Sequence, residues 1–189
     1  MDIRNQSGNK VENGDIVGGN KHITNIVSSG KKTKLAHLFE RLKSEFDQNN
    51  RISQVSDELE KYSIPRDVIG LEQKLSDAGK QDKILNAAWL KEQYFKKLTK
   101  FQFFEPAQEI HAFLLGLVLT KFNNIIYPMI NENASDVEIG KQISEQIIDP
   151  IVKLIQEEGC DDVMGLSPTD IDGMIYFLTG QCHIKWVKS

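Results

Sequence analysis

Residues 105–126 read EPAQEIHAFLLGLVLTKFNNII, and this stretch decides the fold. Pro106 sits at a first-turn position, where its missing N–H is harmless. Ile110, Phe113, Leu114, Leu117, Val118 and Phe122 follow, so the segment is apolar nearly all round. A helix of that kind is buried on most sides. The spacing therefore predicts a central buried helix over about 106–126, ended by Pro128. The longest apolar run, Ala112 to Leu119, is eight residues, far short of the roughly 20 that a membrane span needs.

The same period extends to both sides. Leu35, Leu38, Phe39, Leu42 and Phe46 follow the i, i+3, i+4, i+7 pattern of an amphipathic helix. Ile52, Val55 and Leu59 mark a shorter helix ending near Tyr62, with Pro65 as a boundary. Val68, Ile69, Leu71 and Leu75 predict a third, closed by Gly79 as the residue after the C-cap. Ile84, Ala87, Ala88, Lys91, Phe95 and Leu98 suggest a longer helix from about Gln81 to Lys100. Ile139, Ile143, Ile147 and Ile148 begin another, which Pro150 should kink, or restart with Asp149 as N-cap. That helix should run through Ile151, Leu154 and Ile155 to a stop at Gly159. Ser167-Pro168-Thr169-Asp170 reads as N-cap, N1, N2 and an acidic N3. The last helix carries Ile171, Met174, Ile175 and Leu178 and stops near Gly180. Cys182 to Val187 alternates, as a short strand or extended segment does.

The first thirty residues differ. Gly8, Gly14, Gly18, Gly19 and Gly30 are interleaved with Asn5, Asn9, Asn13, Asn20 and Asn25, and Gly8-Asn9-Lys10 recurs as Gly19-Asn20-Lys21. Asn13-Gly14, between Val11 and Ile16-Val17, is a hairpin-turn signal. A lone hairpin is marginal in water, so the segment is expected to pair through open strand edges with another copy. The expected interface is Val11, Asp15, Ile16, Val17, Lys21 and Ile23; the competing reading is a flexible tail. The fold class that results is mainly α: a bundle of seven to eight helices over 35–189, a basic linker at 31–34, and a Gly-rich β-hairpin appendage at 1–30.

Forty per cent apolar residues suit a globular chain, and two cysteines are not a disulfide scaffold. With no apolar leader segment after Met1, a soluble cytoplasmic protein with reduced thiols is expected. The total charge of −4 is unevenly spread. Residues 1–34 carry six basic and three acidic side chains, 35–104 twelve and eleven, and 105–189 five and thirteen. The acidic last half disfavours nonspecific nucleic-acid binding. A sensor reading would have to use Lys31, Lys32 and Lys34 together with Lys96, Lys97 and Lys100.

Motifs for chemistry are few. Gly14 to Lys21 imitates a phosphate loop, but Asn20 separates Gly19 from Lys21, and strand formers rather than a helix follow. Cys160, Cys182 and His183 would make an incomplete zinc set, and adjacent Cys182 and His183 diverge on an extended segment. Cys182 is expected to be a small buried hydrophobe and His183 to hydrogen-bond to backbone. His111 reads as a core histidine satisfied by a neighbour. A hydrolase would need it, or His183, beside a carboxylate in a cleft. Glu157, Glu158, Asp161 and Asp162 read as a solvated helix end, lacking calcium-loop spacing. Trp89 and Trp186 could each anchor an interface or close the core. No metal, cofactor or catalytic residue is expected.

The tail Ile175-Tyr176-Phe177-Leu178-Thr179-Gly180-Gln181-Cys182-His183-Ile184-Lys185-Trp186 is distinctive. Together with Gly70-Leu71-Glu72-Gln73-Lys74-Leu75, Lys91 to Leu98 and Gly14 to Lys21, it resembles the C-terminal domain of bacterial ABC-three-component systems, the group that includes Lamassu-type anti-phage defence. The resemblance spans about residues 5–187. It implies a non-catalytic module that links an effector, often a nuclease or protease, to a partner ATPase and middle component. Little precedes the Gly-rich motif, so a stand-alone subunit or a piece without its effector is expected. Partners are then those proteins and further copies of this chain, with no membrane and no direct nucleic-acid contact. The tail residues Tyr176, Phe177, Cys182, His183 and Trp186 are expected to be structural.

Overall fold

Helix α5 (Glu105–Lys121) packs against α1 (Lys34–Asp47), α2 (Asp57–Ser63) and α9 (Pro168–Gly180). Ile110, Leu114, Leu115 and Val118 are fully buried along it. The structure is a computed structural model that describes residues 32–67, 69–159 and 162–188. The expected hairpin and its interface residues Val11, Asp15, Ile16, Val17, Lys21 and Ile23 lie outside the described residues, as do Cys160 and Asp161. The remaining elements are α3 (Leu71–Asp77), α4 (Ile84–Phe101), α6 (Tyr127–Asn131), α7 (Asp136–Ile143) and α8 (Asp149–Glu158). One π-turn (Phe122–Ile126) joins α5 to α6 without a break, and another (Ser144–Ile148) joins α7 to α8. Counted as continuous, the described residues form seven helices and no strand. The fold is mainly helical, as the periodicity predicts.

The π-turns correct two expectations. Pro128 does not end its helix, which runs to Asn131, and Pro150 does not restart one with Asp149 as N-cap. A proline ring clashes with the carbonyl four residues back. In a π-turn the bond reaches five residues back instead: the Tyr127 N–H donates to Phe122 O and the Asp149 N–H to Ser144 O. The carbonyl that Pro150 leaves without a helical donor, that of Gln146, accepts from Lys121 Nζ at 2.8 Å. The apolar pattern asks for the same widening. Buried positions run 110, 114, 118, 122, 126, 130 and again 139, 143, 147, 151, 155. A strict four-residue step drifts by about 40° each time in a straight α-helix. The π-turns take up that drift, so both ladders stay on the core.

By length and composition the continuous helix Glu105–Asn131 is apolar enough to cross a membrane, with mean hydropathy 1.4. In this fold its buried residues Ile110, Leu114, Val118, Phe122, Ile126 and Ile130 belong to the core. The principal helix pair is α4 with α9. It is close because Gly173 has no side chain: a Cβ there would lie 2.5 Å from Leu90 O and 2.8 Å from Tyr94 Cβ. The buried stripe of α4 is Ala87, Leu90, Tyr94, Leu98 and Phe101. This corrects the predicted stripe, which contained Phe95, a half-exposed residue.

Capping follows the sequence closely. Thr33 and Ser56 accept from Ala36 and Leu59 N–H. Ser135 and Glu138 form a capping box. The Ser167 N–H and hydroxyl both donate to Asp170 Oδ2, at 2.8 and 2.6 Å. At the other ends, α1, α3, α6 and α9 each close by a bond reaching back five residues, with Asn49, Gly79, Asn133 and Cys182 in the left-handed conformation. This is the Schellman arrangement. Gly and Asn adopt it readily, but a cysteine does so against preference.

Candidate functional site

The tail after α9 is held rather than loose. Cys182, at φ +65°, turns the chain back. Its thiol lies 3.4 Å from Asp67 O and 3.3 Å from Ile69 O, pinning the loop before α3 to the end of α9. Cys182 is only partly buried, a correction to its reading as a buried hydrophobe. Ile184 and Trp186 then insert into the core. Trp186, 6% exposed, lies edge-on to Phe122 at 5.0 Å and stacks on Tyr176. Its indole N–H donates to Thr179 Oγ1 at 3.0 Å, and Lys80 Nζ lies over its ring. Phe177 is fully buried and packs edge-on against Tyr94. The segment is extended but makes no strand.

Between this tail, the loop before α3 and the α5–α6 turn lies a cleft of about 690 Å³. Arg66, Lys74 and Lys185 bring positive charge to it, Asp67 and Asp77 negative charge, and Tyr127 an aromatic face. Lys74 Nζ donates to Thr179 O at 2.6 Å, and Asp77 accepts from Gln73 at 2.6 Å. Neither Arg66 nor Lys185 forms an ion pair with another described residue. His183 borders the cleft at 8% exposure, stacked against Tyr62. Its ring nitrogens meet no partner of full hydrogen-bond geometry, but the backbone of Tyr62 and Lys61 lies close enough to act on the ring. Burial and the charge of Arg66 lower its pKa, against a smaller opposing effect from the backbone of Tyr62 and Lys61. The imidazole is therefore neutral at pH 7.

A second concavity, of about 610 Å³, runs between α3 and α4. Gly70, Leu71 and Gln73 form one side, and Ala88, Lys91 and Phe95 the other. On the same face of α4 stand Leu85, 86% exposed, Trp89, 51%, and Phe95, 50%. At about 100° per residue these three fall within roughly 120° of the helix. The exposed Glu92–Lys96 ion pair falls among them, so the face joins large apolar side chains with a charged pair. The two stretches that line the groove, from Gly70 and from Lys91, are among those that carry the family resemblance.

The remaining candidates are accounted for by packing. His111 is fully buried, with Nδ1 3.3 Å from Tyr94 Oη and Nε2 without a partner. Burial lowers its pKa to about 4. It opens on no cleft and meets no carboxylate in hydrogen-bond reach. Of the basic residues, Lys97 is bound to Asp170 and Gly165 O, Lys96 pairs with Glu92, Lys34 with Glu109, and Lys32 with Glu40. Lys100 lies over the Phe101 ring. Glu158 accepts from Thr33, and Asp162 from the Met164 and Leu166 N–H. Among the described residues no group of three or more His, Cys, Asp and Glu could hold a metal. Arg66 and Tyr127 carry no sequence signal, because only the fold of the tail brings them to one cleft with Lys74. Leu85 was legible: it is the first apolar residue of α4 that falls off the core stripe.

The family model for C-terminal domain 9 of the ABC-three component (ABC-3C) systems matches residues 70–186. The match starts at the groove and ends at Trp186, a shorter span than the resemblance suggested. No curated protein and no solved structure matches the chain.

Proposed function

Because the chain belongs to the C-terminal domain 9 family of the ABC-three component (ABC-3C) systems, we propose that it is a non-catalytic docking module of an anti-phage defence system of the Lamassu type. In this reading it works in the cytoplasm and links an effector to the partner ATPase and middle component. Membership itself implies partners within the same system. The observation that carries the docking role is the open apolar face of α4, with Leu85, Trp89 and Phe95 beside the α3–α4 groove. Large aromatic side chains of this kind are the usual anchors of protein interfaces. Self-association belongs to residues 1–30 in the same proposal, through Val11, Asp15, Ile16, Val17, Lys21 and Ile23.

The test is co-purification of the full chain with the other proteins of its own system. Trp89→Ser combined with Phe95→Ser should abolish the complex while leaving the melting temperature within a few degrees of wild type, since neither side chain is buried. An intact complex in that variant sinks the α4 assignment. For the assembly segment, Val17→Asp should lower the solution mass by light scattering without loss of helix signal. An unchanged mass rejects it.

A further inference from the structure

The tail cleft has features that docking leaves unused. Its volume, about 690 Å³, is that of a small-molecule site, which commonly measures roughly 300–1,000 Å³. Two cations at it, Arg66 and Lys185, have no carboxylate partner among the described residues, and with His183 neutral they and Lys74 are its positive charges. Guanidinium and ammonium groups without partners suit a phosphate, Arg in a bidentate way and Lys as a point charge. Asp67 and Asp77 add acceptors for hydroxyl or amino donors, and Tyr127 adds aromatic surface. The wall is built at some cost. Cys182, the one residue other than Gly or Asn with positive φ among the described residues, holds the loop that carries Arg66 and Asp67. Backbone strain of this kind gathers at ligand sites.

We propose that the cleft formed by the α9 tail, the loop before α3 and the α5–α6 turn binds a small phosphomonoester with a flat, hydroxyl-bearing body, of the nucleoside monophosphate class. Phosphate is held by Arg66 and Lys185, donors on the body by Asp67 and Asp77, and its flat face lies toward Tyr127. The inference stands apart from the docking role, since the cleft and the α3–α4 groove share no lining residue.

Calorimetric titration of the full chain with adenosine monophosphate, adenosine and inorganic phosphate tests it. Adenosine monophosphate is expected to bind at least tenfold more tightly than either fragment, with affinity falling as salt rises. Arg66→Glu with Lys185→Glu should weaken it at least tenfold at an unchanged melting temperature, because both side chains are exposed. Two results overturn the proposal: adenosine monophosphate binding no better than phosphate, and binding undiminished in the double variant. Absence of binding at millimolar nucleotide does so as well. Since Trp89→Ser with Phe95→Ser leaves the cleft intact, nucleotide binding in that variant reports on the cleft alone.

Discussion

At Cys182 a single residue decides how the tail is placed. Asn49, Gly79 and Asn133 close their helices with residues that accept positive φ, so Cys182 stands out. Its thiol contacts to Asp67 O and Ile69 O give the reason for keeping it. Cys182→Ala should lose those contacts and keep the strain. Cys182→Gly loses the contacts and removes the strain, so it should be about 1 kcal/mol more stable than the alanine variant. Urea midpoints for the two variants measure that gap, and equal midpoints would mean the left-handed turn carries no strain. Asp172 offers a pH-dependent prediction. Burial raises its carboxyl from 3.8 to about 6. The folded state therefore binds the proton more tightly than the unfolded chain, and stability falls as pH rises from near 4 through 6. Asp172→Asn should melt higher than wild type at pH 7.5 and coincide with it at pH 4. His111 acts in the opposite sense: its folded pKa of about 4 means its contribution is present above its unfolded value and lost as pH falls toward 4. The burial that lowers the His111 pKa is legible in the apolar helix around it, whereas that of Asp172 comes from packing that the sequence does not report.

The elements were legible wherever period and cap agreed. Ser167 opens a helix and Gly79 closes one, as their types and positions predict; Ser56 and Ser135 cap two more. Pro128 and Pro150 misled, since the rule that proline ends a helix assumes an α-turn before it. The four-residue spacing of Ile139, Ile143, Ile147, Ile151 and Ile155 held the missing information: such a ladder fits a helix only with a wide turn in it. Phe95 misled for another reason. Both it and Tyr94 meet Phe177 of α9, but Tyr94 is buried where Gly173 makes room, while Phe95 stacks at the edge of the contact and stays half-exposed. Gly173→Ala should push α4 and α9 apart and destabilise by roughly 1–3 kcal/mol. Scanning calorimetry checks it, and an unchanged melting temperature would show that the helices slide freely. Gln108 is a further element-level tie. From the core helix it accepts from Ser56 N–H and donates to Gln54 O and Gln102 O, fixing the start of α2.

In the molecule as a whole, α3 stands between the two concavities. Lys74 and Asp77 face the cleft, while Leu71 and Gln73 face the groove. The two surfaces should behave independently: Arg66→Glu with Lys185→Glu should leave complex formation with the partner proteins unchanged. Loss of the complex in that variant would mean the cleft itself is part of the docking surface. Trp186 ties the tail to the core, and Trp186→Ala should cost roughly 3–5 kcal/mol, with the melting temperature as the readout. A near-zero change would move Trp186 to an interface. The family match and the helical fold were both within reach of the sequence; the cleft was not, since Arg66, Tyr127 and Lys185 lie 119 positions apart at their extremes and meet only when the tail folds back. The π-turns, finally, bear on how the chain can change in length. Each holds one residue more than an α-turn. Deleting one residue within Phe122–Ile126 would turn it into an ordinary α-turn and leave the helix beyond on nearly its present face, but would bring a carbonyl back against the Pro128 ring. In effect each wide turn is a one-residue insertion, and the proline that follows makes it hard to remove.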